Sequence, residues 1–278
     1  MEKSEQGSSF SNSKQILNHA LEAVKLGRDC LLKYYGKIEH IEVKEKAGLV
    51  SEADRESEKI IQHYLHSKHP DFDFLGEETS YFNPDAPLVS SDQPRWILDP
   101  LDGTTNFIHQ LPIWCISLAL EVKKEVVIAV IDVPLLNQTF TAIKGEGAFC
   151  NGKKLLVSKC QKLADAFMST GFVNEDEDVL KEQLKIFNHF VWKARGIRRP
   201  GAAAYDLAMV ASGVFDLYWE KNIKPWDVAA GLLLVEEAGG QVQTYSGEKY
   251  NPFLKSIVAA NQSISSQFLS ELAPLLKR

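Results

Sequence analysis

Between residues 112 and 157 the sequence is a series of short apolar runs, at 113–120, 126–133, 138–143 and 147–150, separated by turn residues. Runs of this length with such brief connections fit the strands of an antiparallel meander. Asn151-Gly152 strengthens the reading, because both residues accept the positive φ that a type I′ hairpin turn demands. A β-rich sheet is thereby set in the middle of the chain, with flanking segments left to cover it.

The flanks read differently. Ser13 is a candidate cap for a helix whose apolar positions Leu17, Ala20, Leu21, Val24 and Leu31 keep a 3.6-residue period, with Gly36 as the stop. A second helix is expected from near Ser51, with Ile60, Ile61, Tyr64 and Leu65, ending before Pro70. Residues 72–75 and 96–98 read as strands, and 81–94, with Pro84, Pro87 and Pro94, as an exposed loop. After about residue 160 helix and strand alternate. Strands are expected at 167–169, 214–219 and 257–260, and helices at 178–192, 202–212, 227–238 and 265–276. Residues 1–12 are Ser-rich and read as a flexible tail. No compositional break marks a linker, so 13–278 read as one α/β (α+β) domain. Its halves, about 13–160 and 161–278, share a core.

Composition narrows the function classes. At 278 residues, 45% hydrophobic and 24% charged, the chain is not disordered, collagenous or a coiled coil. A net charge of -6 disfavours a phosphate-tracking nucleic-acid binder. The longest apolar stretch, 228–235, is far short of the ~20 residues that span a bilayer, so no membrane partner is expected. The polar N-terminus carries no signal-peptide pattern. Four cysteines without a CxxC pair suit a reducing cytoplasm.

The chemistry lies in carboxylates at element ends. Asp99 follows the strand at 96–98, where side chains face the cleft at the carboxyl end of a sheet. Asp102 follows across a Pro100-Leu101 turn. No Lys or Arg separates the two acids, so their repulsion asks for a cation or a raised pKa. Gly103-Thr104-Thr105-Asn106 then offers free N–H groups to an anion. Carboxylates beside phosphate donors are the usual Mg²⁺ arrangement. Glu77-Glu78 end another strand, Asp54 lies three residues after Ser51, and Asp227 opens a helix. Each also has a purely structural account: Ser51 and Asp54 fit a capping box, and Asp227 suits any helix N-terminus. Spacing leaves open whether these sites converge.

Asp99-Pro100-Leu101-Asp102-Gly103-Thr104-Thr105-Asn106-Phe107 resembles the signature of the inositol monophosphatase family of magnesium-dependent, lithium-sensitive phosphomonoesterases. Gly76-Glu77-Glu78, Val50-Ser51-Glu52-Ala53-Asp54 and Trp226-Asp227-Val228-Ala229-Ala230-Gly231 resemble its other motifs, in order, over about residues 45–245. The resemblance implies a layered αβαβα sandwich of the sugar-phosphatase type, and a homodimer. It implies that Glu77, Asp99, the Leu101 carbonyl, Asp102 and Asp227 bind two or three Mg²⁺ ions. Asp54 and Thr104 would activate the attacking water beside Glu77. Asp102, Gly103, Thr104, Thr105, Ala203, Glu220 and Asp227 would line the substrate, with Ser169 near its ring. A hydroxyl such as Thr104 has no basicity at neutral pH, so it relays a proton only if Asp54 accepts one. The motifs carry no serine, cysteine or histidine nucleophile, which favours direct attack by water.

Other features read as incidental. His63, His66 and His69 step around a helix surface rather than forming a ligand set, and His109 and Lys153-Lys154 suit solvated positions. Arg198-Arg199 can pair with Asp206 or Glu220, and Glu78 reads as a supporting residue. The expected activity is Mg²⁺-dependent hydrolysis of inositol monophosphate, a small phosphomonoester. Glu220 suits a polyol and would repel a second phosphate, against a 3′-phosphoadenosine 5′-phosphate nucleotidase or fructose-1,6-bisphosphatase. Asn106-Phe107 and Gly76 also disfavour the nucleotidase and histidinol-phosphatase branches. A regulatory binding protein on the same scaffold stays open beside these.

Overall fold

The computed structural model describes residues 12–38, 41–44, 48–81, 88–89, 91–172 and 176–276; the expected tail lies outside them but for Asn12. The first half comprises α1 (Ser13–Tyr34), β1 (Ile41–Lys44), β2 (Gly48–Ser51), α2 (Glu52–Lys68), β3 (Asp73–Gly76), α3 (Glu77–Tyr81) and β4 (Arg95–Asp102). It continues through α4 (Thr104–Ile108), β5 (Cys115–Val122), β6 (Glu125–Val133), β7 (Gln138–Ile143), β8 (Gly147–Cys150) and β9 (Lys153–Lys154). The second half holds β10 (Phe167–Thr170), α5 (Glu177–Val191), β11 (Gly196–Arg198), α6 (Ala203–Ala211) and β12 (Leu217–Lys221). It closes with α7 (Pro225–Glu237), β13 (Gln241–Gln243), β14 (Ser256–Ala260) and α8 (Gln262–Leu276).

The meander is a seven-stranded sheet, β3 to β9 in sequence order. Only β3 and β4 pair in parallel. Asn151 and Gly152 turn β8 into β9 with φ of 48° and 78°. The second sheet has the order β11-β10-β12-β14-β13, parallel across its first three strands and antiparallel beyond. Five layers result: α1 and α2, the seven-stranded sheet, α6 and α7, the five-stranded sheet, and α5 with α8.

Strand periodicity explains the layering, because successive side chains leave opposite faces. Ile116, Leu118 and Leu120 of β5 pack under α1 and α2, while Cys115 and Ala119 face α6 and α7. On β12, Leu217 and Trp219 face α5 and α8, and Tyr218 faces inward. The helix α7 is buried almost all round, as a helix between two sheets must be.

Three expectations shift. Ser13 is the first helical residue, and Asn12 holds the cap position without a side-chain bond. The helix α7 starts at Pro225, whose missing N–H costs nothing in the first turn, which makes Asp227 its third residue. The strand expected at 214–219 begins at Leu217, because the turn after Gly213 (φ 70°) takes up the residues before it. The short strands β1, β2, β11 and β13 had no sequence signal.

Candidate active site

The chain reverses expectation at the end of β4. Asp102 does not follow a turn; β4 runs through Pro100 to Asp102 with a bulge. Pro100 has no N–H to give the ladder, so pairing with β5 jumps from Asp99–Ser117 to Asp102–Cys115. Asp99 Oδ1 accepts the Leu101 N–H at 2.9 Å inside this bulge. Gly103, at φ 90°, then opens α4. A Cβ there would stand 3.0 Å from the Ile113 carbonyl oxygen and 3.2 Å from the Ala202 Cβ, so only glycine lets the backbone pass.

Four helices begin around this corner. Asp102 accepts N–H groups from the start of α6, from Ala203 at 3.2 Å and Ala204 at 2.7 Å. The Thr104 hydroxyl, on α4, reaches Asp54 Oδ1 in the first turn of α2 at 3.0 Å. The Leu101 carbonyl is a second acceptor for that hydroxyl, at 3.1 Å. The Ser117 hydroxyl donates to the Trp226 carbonyl at 2.9 Å, tethering the first turn of α7 to β5. Helix N-termini carry partial positive charge, so their gathering favours anions here.

Both capping readings hold, together with convergence. Asp54 Oδ2 accepts the Ser51 N–H at 2.9 Å and its hydroxyl at 2.6 Å, which leaves Oδ1 for Thr104. Asp227 Oδ2 accepts the Lys224 N–H at 3.0 Å. Glu77, the first residue of α3, lies close enough that its charge acts on Asp54, Asp99, Asp102 and Asp227. Burial, reinforced by the neighbouring carboxylates, pushes Asp99 and Asp227 well above the usual carboxylate range. Burial also moves Asp54 and Asp102 up to about 6, against the hydrogen bonds that favour their charged forms.

Among the described residues, no three His, Cys, Asp or Glu side chains stand at metal-ligating spacing. The donor set still fits a divalent cation. Asp99, Asp102 and Asp227 are hard oxygen donors, and among the described residues none of them has a cationic side chain as an ion-pair partner. Repulsion between unbalanced carboxylates favours a wider spacing than a bound ion imposes.

A second group of acids lies beyond Asp102. Glu220, on β12, accepts the Tyr218 hydroxyl at 2.5 Å, and burial pushes it up to about 7. A Cβ at Gly171 would stand 1.9 Å from Glu220 Oε2. Asp206, on α6, is 2% exposed and within reach of the charges of Glu220, Asp102 and Arg199.

The sequence profile of the Inositol monophosphatase family matches residues 12–277. The chain belongs to this family. It is 36% identical over 261 residues to inositol monophosphatase 2 of Solanum lycopersicum, covering 93% of this chain and 98% of that one. It is 37% identical to the Nus factor SuhB of Pseudomonas aeruginosa, over 94% and 97% of the two chains. The structure of the extragenic suppressor protein suhB from Bartonella henselae superposes with a TM-score of 0.85 at 37% identity, over 93% and 98% of the chains. The layered α+β fold is thus that of the inositol monophosphatase structures.

Within the family framework, sequence reasoning missed two residues. Glu58, buried on α2, accepts the N–H groups of Glu78 at 2.9 Å and Thr79 at 2.7 Å, and so fixes the start of α3 where Glu77 sits. A Cβ at Gly76 would strike Glu58 Oε2 at 2.3 Å, which explains the glycine. The available signal was position: Asp54, Glu58, Ile61 and Leu65 share one buried face of α2. Asp206, read from the sequence only as a charge partner for Arg198-Arg199, is the other, an acid within an otherwise apolar helix.

The remaining candidates fall as follows. Ser169 is buried beside Asp206. Thr105 and His109 are exposed, and Lys153 and Lys154 form the exposed strand β9. Arg199 acts on Asp206 and Glu220 by charge, while Arg198 lies 4.9 Å over the Phe167 ring. Asn106 Nδ2 donates to the Ile113 and Pro200 carbonyls at 2.7 and 2.9 Å, holding α4 to the segment before α6. Ala203 turns its N–H to Asp102.

Proposed function

We propose that this chain hydrolyses inositol monophosphates to myo-inositol and phosphate, with Mg²⁺ held by Glu77, Asp99, the Leu101 carbonyl, Asp102 and Asp227. Family membership carries the phosphatase activity. The observation that carries the proposal is the Thr104–Asp54 contact at 3.0 Å beside buried, mutually repelling carboxylates. When bound, Mg²⁺ supplies charge neutralisation on the phosphate oxygens and a lowered pKa for water.

The chain's own groups do the rest. Asp54 Oδ1 takes the Thr104 proton, which frees the Thr104 oxygen to accept one from the attacking water. Gly103, Thr104 and Thr105 present first-turn N–H groups that have no intrahelical partner. These cradle the phosphate. Glu220 accepts hydroxyls of the ring, Ala203 contributes its backbone nearby, and Ser169 lies toward the ring. Residues 13–278 act as one domain, in a cytoplasmic homodimer inhibited by Li⁺. Release of inorganic phosphate from inositol 1-phosphate, with and without Mg²⁺, tests the proposal. No turnover of any phosphomonoester in a wide panel would refute it.

A second reading draws on the 37% identity to a Nus factor: a protein-binding role on the same scaffold. Asp99→Asn separates the two, because it ends hydrolysis and leaves the outer surface intact.

A further inference from the structure

Asp102 and Cys115 stand opposite each other where β4 and β5 resume pairing after the bulge. Opposed residues in a sheet turn their side chains to the same face, so the two are neighbours by register. Cys115 is wholly buried, and its Sγ lies 3.5 Å from Asp102 Oδ2. A thiol is by far the weaker acid of the two, so the proton stays on sulfur and the S–H donates.

The donors at Asp102 are unequal. Oδ2 takes the Ala204 N–H at 2.7 Å as well as the thiol, whereas Oδ1 takes the Ala203 N–H at 3.2 Å. Both backbone donors come from the start of α6, 101 and 102 residues along the chain. Among the described residues, the thiol is the one side chain that donates to Asp102, and the one donor from its own sheet. Without it the carboxylate is held from α6 alone and has more freedom about its side-chain torsions.

Packing accounts for the residue type. Cys115 belongs to the core cluster that includes Ile97, Ala119 and Ile131, on the face toward α6 and α7. A thiol packs there as a small hydrophobe and still carries a donor. Valine would pack without donating, and serine would donate at the cost of apolar contact.

We propose that Cys115 is a positioning residue for Asp102. Its S–H commits Oδ2, which leaves Oδ1 the freer oxygen for a divalent cation. This rests on Asp102 being a Mg²⁺ ligand, as in the proposed function, and Cys115 acts only through Asp102.

Titration calorimetry of the full metal-free chain with Mg²⁺ reads this without turnover. Cys115→Val and Cys115→Ala should weaken Mg²⁺ binding about five- to tenfold, at or below the low end for partners of metal ligands because a thiol is a weak donor. Valine keeps the site filled and alanine relieves any crowding, so loss of the donor is read from whichever folds by circular dichroism. Cys115→Ser restores a donor and should stay within about twofold of the wild type. Wild-type affinity in the folded valine or alanine protein overturns the proposal. So does a folded serine protein as weak as those two, which would make the effect one of packing. Asp102→Asn is the control. If it binds Mg²⁺ as tightly as the wild type, the ligand reading falls and this proposal with it. If Asp102→Asn loses affinity while the valine and alanine proteins do not, the ligand reading stands and the role of the thiol is refuted.

Discussion

The Thr104 hydroxyl and Asp54 Oδ1 meet at 3.0 Å across fifty residues of sequence, and the other Asp54 oxygen is already committed to Ser51. One carboxylate thus caps a helix with one oxygen and accepts the Thr104 hydroxyl with the other. The division matters because the cap fixes the direction of the working oxygen.

Removing the hydroxyl while keeping the shape isolates this pair. Thr104→Val should lower kcat by about 10²–10³-fold with KM nearly unchanged, the range expected for loss of a proton relay. Thr104→Ser restores the hydroxyl and should recover most of the rate. Phosphate release from inositol 1-phosphate measures both, and a fast valine variant would remove Thr104 from the proton path.

If the pair relays a proton as proposed, it should set an acid limb. Burial moves Asp54 up to about 6, and it accepts the Thr104 proton only when ionised. The rate should therefore fall on the acid side and level off above it, with the midpoint below the metal-free value of about 6 because a cation held beside Glu77 favours the ionised Asp54. Asp54→Asn should lose most of the rate and the limb with it. A pH–rate profile of the two proteins gives the answer; an unchanged limb in the variant would assign it to another group.

Much of this arrangement was legible in the sequence, and the reason for the remainder is physical. Strand periodicity gave the meander, and glycines at 36, 103 and 213 marked real changes of direction. The short strands were silent because pairing, rather than pattern, makes them. In β13, Gln241 and Gln243 flank a lone Val242. Asp54 and Asp227 were ambiguous because capping and convergence are compatible. Contacts spanning 50 residues (Thr104–Asp54) and 102 residues (Ala204–Asp102) joined what local spacing could not. Glu58 was missed because an acid on a helix ordinarily faces water, and only the fold shows it turned inward.

Glu58 holds the backbone that presents Glu77, so its effect should be on metal affinity. Glu58→Gln keeps one acceptor and the volume but loses the charge that suits two N–H donors. The Mg²⁺ concentration for half-maximal activity should rise about 10–100-fold, as is typical for partners of metal ligands. The rate at saturating Mg²⁺ should recover. A lower plateau with unchanged Mg²⁺ dependence would make Glu58 part of the chemistry instead.

Stability should show the same electrostatics with a definite sign. Asp99 and Asp227 have folded pKa values raised above the usual 3.8 by burial and by neighbouring carboxylates. The folded metal-free chain then holds more protons than the unfolded one, so this part of its stability is present below 3.8 and is lost as pH rises through the folded values. Mg²⁺ should offset the loss at pH 7.5, by about 2.7 kcal/mol at a hundredfold excess over Kd, and have little effect at pH 4. Asp227→Asn should melt no lower than wild type without metal, yet gain much less from Mg²⁺. Thermal melts at both pH values test it, and an equal Mg²⁺ gain in the variant would remove Asp227 from the ligand set.

Gly171 leaves the space that the Glu220 carboxylate occupies, at what the proposed function makes the substrate end. A methyl at Gly171 would stand 1.9 Å from Glu220 Oε2, so Gly171→Ala must move the carboxylate. Its Tyr218 hydrogen bond, 2.5 Å long, would be lost or bent. Asp99, Asp102 and Asp227 are on other elements and should be undisturbed. Gly171→Ala and Glu220→Gln should therefore raise KM for inositol 1-phosphate about tenfold, the loss of one or two hydroxyl contacts at roughly 1 kcal/mol each. Turnover of an aryl phosphate without a polyol ring should change little. Because burial holds Glu220 at about 7, KM for inositol 1-phosphate in the wild type should also rise as pH falls through that value, since the protonated group accepts fewer hydroxyls. Glu220→Gln should flatten that dependence. Equal losses on both substrates would mean that Glu220 supports the site as a whole rather than reading the ring.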